Sequence, residues 1–233
     1  MVSVGEPAED RPLLTAENVA HSYGRNVALA PTTLEVRGGD LLALIGPNGA
    51  GKSTLLSILA GALSATDGRV RVGNADHRGP PKVGWVPQRP AHYARLSARE
   101  NLELFARLEQ VTEPERAAER LLRLVELPDD DRPAAELSAG NQQRLNLAIA
   151  LLAQPDVLLL DEPTASLDPR QRRRFWEVAS RVPDQGGAVV FATQNLEELE
   201  RVANRVAVLL EGRLVFDGTV DQFAQAPQAD VFA

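Results

Sequence analysis

Unbroken apolar runs and stretches of helical spacing take turns along most of this chain. "LLALI" (41–45), "VLLLDEP" from Val157, "GAVVFAT" from Gly187 and "RVAVLLEG" from Arg205 lack the polar–apolar alternation of a half-exposed strand. Such runs predict strands buried on both faces of a parallel sheet. Between them the spacing becomes helical. Leu55, Leu56, Ile58 and Leu59 mark a helix within Gly51–Ala62, and "RENLELFARLEQ" and "ERAAERLLRLVEL" mark two amphipathic helices between Ala98 and Leu127. Further helices are predicted from Ser138 or Gly140 to Ala153, through "RQRRRFWEVASRV", and briefly after Asn195. The first part of the chain reads instead as short strands: "LLTAENVAHSY", "TTLEV", a pair around "TDG" near Asp67, and "KVGWVPQ". "RVAVLLEGRLVFDG" reads as a hairpin. The pattern predicts an α/β fold with a parallel sheet covered on both faces. A mostly helical lobe, about 89–153, is inserted into it. Residues 1–12 and 227–233 are expected to be flexible tails around one domain, 13–226.

Composition narrows the function. A hydrophobic share of 44% with 24% charged residues is that of a globular protein, and the formal charge of −7 argues against a nucleic-acid partner. The chain has no cysteine, which excludes disulfides, thiolate metal sites and cysteine catalysis. No run is long and apolar enough to span a bilayer, and the acidic opening has no signal-peptide core. An intracellular protein that cannot itself cross a membrane is expected. Basic charge is almost all arginine, so the lysine at position 52 draws attention; Lys82 is its only companion.

Lys52 stands in "LLALIGPNGAGKST", where Gly46-x4-Gly51-Lys52-Ser53 fits the P-loop pattern between an apolar strand and a helix. From Gly46 through Pro47, Asn48, Gly49, Ala50 and Gly51 to Lys52, Ser53 and Thr54, the segment can turn backbone N–H groups onto phosphate oxygens. The positive end of the following helix assists. Lys52 would reach the β- and γ-phosphates, and the Ser53 hydroxyl would bind Mg²⁺. Far downstream, "VLLLDEPTASLD" carries Asp161 to a strand tip, where it can hold the same ion. Glu162 follows on the other side of the strand end, placed to orient and deprotonate a water.

"ELSAGNQQRLNLAIALL", ahead of "LLLDEP", resembles the signature segment of ABC-type ATPase subunits. Motifs in that family's order run from about Leu13 to Phe223. The resemblance implies a P-loop NTPase with a RecA-like core, an antiparallel β lobe and a helical lobe, acting as two subunits that sandwich two ATPs with Mg²⁺. It implies that Tyr23 stacks on adenine, and that Gln88 touches Mg²⁺ or its water and signals to a membrane partner. Ser138 and Gly140 would grip the γ-phosphate held by the opposite subunit, and Asp168 would lie in the loop that crosses the seam.

Two departures accompany the resemblance. Ala139 and Asn141 stand where the family usually has glycine and glutamine, and the grip is expected to survive both. Gln194 stands where a histidine usually contacts the γ-phosphate, with Asn195 in place of aspartate. A glutamine amide can donate a hydrogen bond to a phosphate oxygen but cannot become cationic. Glu162, Gln194 and Lys52 are therefore the expected catalytic set, with hydrolysis slow to moderate. "RPAHYARLSARENLELFARL" and "EGRLVFDGTVDQFAQ" resemble bacterial drug- and antibiotic-export subunits. That likeness implies a subunit peripheral to the inner face of the cell membrane, docked by its helical lobe on a separate permease. A soluble ABC-type ATPase, or an ATP-clamped regulator with little hydrolysis, is the alternative.

Overall fold

The computed structural model describes residues 12–73 and 80–226. Apart from Pro12, the two expected tails lie outside these residues.

The first sheet has three antiparallel strands in the order β2-β1-β4: β1 (Leu14–Tyr23), β2 (Asn26–Val36) and β4 (Asp67–Val72). The second has six, in the order β5-β6-β7-β3-β8-β9: β3 (Leu41–Ile45), β5 (Val83–Val86), β6 (Val157–Asp161), β7 (Ala188–Ala192), β8 (Arg205–Leu210) and β9 (Arg213–Thr219). Its pairs are parallel except β8–β9, which forms the predicted hairpin.

The unbroken apolar runs are explained by the sheet's two covered faces. Leu42, Leu44, Val157, Leu159, Val190, Ala207 and Leu209 pack on one side with Leu55 and Leu56 of α1 (Lys52–Leu59) and with the small sheet. The intervening residues Ala43, Ile45, Leu158, Leu160, Val189, Phe191, Val206 and Val208 pack on the other. There they meet α2 (Ala98–Leu108), α3 (Pro114–Leu124), α4 (Ala139–Ala150) and α5 (Pro169–Ala179). Burying each such leucine or isoleucine stabilises the fold by about 1.5–3 kcal/mol. A strand shifted by one residue would exchange all its contacts with the wrong face.

The smaller helices α6 (Arg181–Asp184), α7 (Leu196–Val202) and α8 (Val220–Ala224) complete the set. One expectation fails. Only β4 forms near "TDG", not a pair of strands. Gly61 takes a left-handed φ of 70°, the N–H groups of Ala62 and Leu63 bond back to Ser57 O, and the chain enters β4 directly from that turn.

Helices α2, α3 and α4 all fall between residues 89 and 153, with α4 ending at Ala150 rather than Ala153. The loop from Gln88 to Leu96 is fastened to two of the helices by buried amides. Asn101 of α2 accepts from Tyr93 N and donates to the carbonyls of Tyr93, Leu96 and Ser97. Asn146 of α4 accepts from Ala91 N, and its Oδ1 lies 2.9 Å from His92 Nδ1.

Candidate functional site

Parallel strands deliver their carboxyl ends to one edge of the sheet, and β3, β6 and β7 end there in register. Leu44 pairs with Ala192, and Ala192 with Asp161. The next residues in each strand direction, Ile45, Thr193 and Glu162, therefore emerge side by side. Such an edge, beside a change in strand order, is where open α/β sheets bind ligands.

The loop Gly46–Gly51 turns from β3 into α1. Glycine is required at its two ends by close backbone approach. A Cβ on Gly46 would fall 2.2 Å from Leu209 O, and one on Gly51, at φ 99°, would fall 2.6 Å from Ala28 O. Pro47, Asn48 and Gly49 are exposed at the crest, Ala50 is buried, and Ser53 and Thr54 open the helix. Lys52 is buried, and its ammonium donates to Gly46 O at 2.7 Å and Pro47 O at 3.0 Å. Burial pushes its pKa below the usual lysine range, opposed by the nearby Glu162 and Asp161 carboxylates.

Asp161 is buried against this loop. Burial raises its pKa; a hydrogen bond from Ser53 opposes, Glu162 adds like-charge repulsion, and Lys52 opposes. Its Oδ1 has no hydrogen-bond partner. A buried carboxylate oxygen without a donor, beside a hydroxyl, is the donor chemistry Mg²⁺ takes when substrate phosphates and water fill its other positions. Among the described residues no group of three or more His, Cys, Asp or Glu could hold a metal by itself.

Glu162 adopts a left-handed φ of 48°, uncommon outside glycine, and its N–H bonds Ala192 O at 3.1 Å. That conformation turns the carboxylate toward two amides. Gln194 Nε2 donates to Glu162 Oε1 at 2.7 Å and to Asn48 Oδ1 at 2.8 Å. Gln88 Nε2 donates to Glu162 Oε2 at 3.2 Å. Gln194 thus bridges the phosphate loop and the carboxylate, and an open cavity of about 660 Å³ lies alongside, lined by Glu162, Thr164, Thr193, Gln194 and Arg172.

The structure brings together residues 46–54, Gln88, Asp161, Glu162 and Gln194. Tyr23 stands apart at the tip of β1, exposed, with its ring edge-on to His21 at 4.5 Å. Ser138, Gly140 and Asp168 form a second group. Ser138 caps α4 by accepting from Asn141 N, and Asp168 caps α5 by accepting from Gln171 N. The two helix ends touch, since a Cβ on Gly140 would lie 2.5 Å from Gln171 Nε2. Among the described residues no hydrogen bond joins this group to the phosphate loop.

Sequence reasoning missed Glu198, one turn beyond Gln194, which is buried and accepts hydrogen bonds from Thr164, Trp176 and Thr193. The available signal was its position beside Leu199 on the inner face of a short helix.

Residues 29–165 match the family model described as "ABC transporter". The daunorubicin resistance ATP-binding protein DrrA3 of Streptomyces coeruleorubidus is 36% identical over 90% of this chain and 69% of its own length. The chain belongs to the ABC transporter family. The lantibiotic transport ATP-binding protein SrtF of Streptococcus pyogenes, another family member, is 33% identical over 90% of this chain and 92% of its own. Among solved structures, the ATP-binding cassette MJ0796, in a dimeric structure of a post-hydrolysis state bound to ADP and Pi, superposes with a TM-score of 0.78. That match has 25% identity and covers 89% of this chain and 98% of the other. This ABC chain is an α/β nucleotide-binding protein, as its motifs imply.

Three of the residues expected to depart from the family pattern each have a defined partner. Asn195 caps α7, accepting from Glu197 N and Glu198 N, so the amide does the capping an aspartate would do. Asn141 turns its oxygen to Arg144. Gln194 makes the bridge described above.

Proposed function

We propose that this chain hydrolyses Mg-ATP to drive a separate membrane permease that exports small molecules. The observation that carries the reading is the convergence of Lys52, Asp161, Glu162 and Gln194 on the Gly46–Thr54 loop.

In this reading the phosphates lie on the backbone N–H groups of 46–54. The Lys52 ammonium exchanges its loop carbonyls for β- and γ-phosphate oxygens, whose charge offsets the effect of burial on its pKa. Ser53 and Asp161 would hold Mg²⁺, with Gln88 beside it; when bound, the ion neutralises charge on the β- and γ-phosphates. Glu162 accepts a proton from the attacking water. Gln194 orients that carboxylate through its short hydrogen bond and exchanges its bond to Asn48 for one to a γ-phosphate oxygen. Because the amide stays neutral, it stabilises developing charge less than an imidazolium, and turnover is slow to moderate. Tyr23 stacks on the adenine.

A second copy, or a related subunit, completes the site with Ser138, Gly140 and the Asp168 loop. Gln88 then has a further role. Its amide contacts Glu162, and the loop after it is fastened to α2 and α4 by Asn101 and Asn146, so events at the carboxylate reach the 89–153 helical lobe. That lobe would dock the permease at the inner face of the membrane. Export is supported by relatives described as daunorubicin resistance and lantibiotic transport ATP-binding proteins. The alternative of an ATP-clamped regulator draws on Gln194; the intact Asp161–Glu162 pair favours the motor.

Light scattering of Glu162→Gln with Mg-ATP tests the reading. A stable dimer that forms with ATP and not with ADP is expected; a monomer under both conditions contradicts it. Co-purification of the parent from membranes with an integral membrane protein tests the permease.

A further inference from the structure

Glu198 is a buried carboxylate whose hydrogen-bond partners are all neutral. It is 3% exposed, on the first turn of α7. The Thr164 hydroxyl and the Trp176 indole N–H donate to Oε1 at 2.5 and 2.6 Å, and the Thr193 hydroxyl donates to Oε2 at 2.6 Å. Burying such a carboxyl group is tolerated when short hydrogen bonds satisfy its oxygens. Its three donors come from three segments. Thr164 is two residues past Glu162. Thr193 is the neighbour of Gln194. Trp176 is on α5, held edge-on to Phe191 at 4.6 Å.

We infer that Glu198 is a positioning residue for hydrolysis, holding the loops of Glu162 and Gln194 at the spacing that lets the amide orient the base. The decisive detail is the polarity of the Thr193 hydroxyl. It gives its proton to Glu198 and in turn accepts from Asn195 N–H at 3.1 Å, which fixes the turn carrying Gln194. Only a side chain that accepts at both ends sustains this. A glutamine with its oxygen toward Trp176 would present N–H to Thr193, whose own proton would then lose its acceptor. Turned round, it would set N–H against the indole N–H, which can only donate. The isosteric change Glu198→Gln therefore breaks the polarity while keeping the volume.

The inference rests on Glu162 as the base, so Glu162→Gln is measured beside it. Steady-state ATP hydrolysis, affinity for a fluorescent ATP analogue and thermal melting are followed for Glu198→Gln and Thr193→Val. Misplacing a catalytic group by about 1 Å commonly costs on the order of 100-fold in rate. Each variant is expected to lose at least about tenfold in kcat while affinity stays within about twofold. Added to Gln194→Ala, each should lower kcat by less than about twofold more, because both act through the same amide. Parent-like kcat in Thr193→Val, or losses that track affinity and multiply with Gln194→Ala, would overturn the positioning role. Thr193→Val carries the test if Glu198→Gln does not fold. Retained turnover in Glu162→Gln would instead overturn the base assignment.

Discussion

Gln194 Nε2 lies 2.7 Å from Glu162 Oε1, and the same nitrogen lies 2.8 Å from Asn48 in the phosphate loop. The residue expected to replace a histidine thus contacts both the proposed base and the loop. Removing one donor of this kind typically costs about 100- to 1,000-fold in turnover. Because the Lys52 ammonium and the backbone N–H groups of the loop remain, Gln194→Ala is expected to lose about ten- to a hundredfold, and Gln194→His to match or exceed the parent. Initial rates of phosphate release at saturating ATP decide it, and an Ala variant as fast as the parent removes the amide from the mechanism.

Within the loop, the first glycine is under the tighter backbone constraint. A methyl group at position 46 would meet Leu209 O at 2.2 Å, and neither backbone can yield without moving β8. Gly46→Ala should destabilise the fold by about 1–3 kcal/mol and weaken nucleotide binding together. Urea titration and equilibrium binding read the two effects; normal stability with normal affinity is the contrary result.

Asn101 fastens the segment between Gln88 and the helices. Its truncation to alanine leaves Tyr93 N and the Ser97 cap region without their partner in the interior. A loss of about 1–3 kcal/mol is expected. The isolated subunit should keep ATP affinity, since the phosphate loop is untouched, while coupling to a permease falls. Denaturation curves that overlay the parent's would contradict the first part.

Asp161 provides a pH-dependent test in the absence of metal and nucleotide. Its folded-state pKa is raised, first by burial, so ionising it weakens the fold. Below the ordinary carboxylate pKa both folded and unfolded forms are protonated and carry no penalty. The penalty grows as pH rises through the folded value. Asp161→Asn, which mimics the neutral form, should therefore melt higher than the parent near neutral pH in chelator, with the gap closing toward acid. The same variant should bind Mg-ATP more weakly, a trade of function against stability. A gap that widens on acidification has the wrong sign.

Much of this was legible from the chain. β3, β6 and β7 are buried on both faces, so their runs have no polar interruption until the residues that reach the site. The phosphate loop is legible because its glycines, Lys52 and Ser53 are local in sequence. What escaped depends on distant segments meeting. In "LEELERV" three glutamates look alike; Glu198 differs only because Thr164, Thr193 and Trp176 surround it in the fold. The bond between Gln88 and Glu162 likewise follows from β5 pairing with β6. Near "TDG" the apolar and polar residues alternate as a strand would, and only the left-handed Gly61 turn shows why the first half is not one.

The central claim is that Glu162 activates water for ATP hydrolysis at this site. Steady-state hydrolysis by the purified chain beside Glu162→Gln tests it most directly. The account predicts measurable Mg-dependent turnover in the parent and its loss in the variant, with ATP still bound. Turnover in Glu162→Gln equal to the parent's would contradict it.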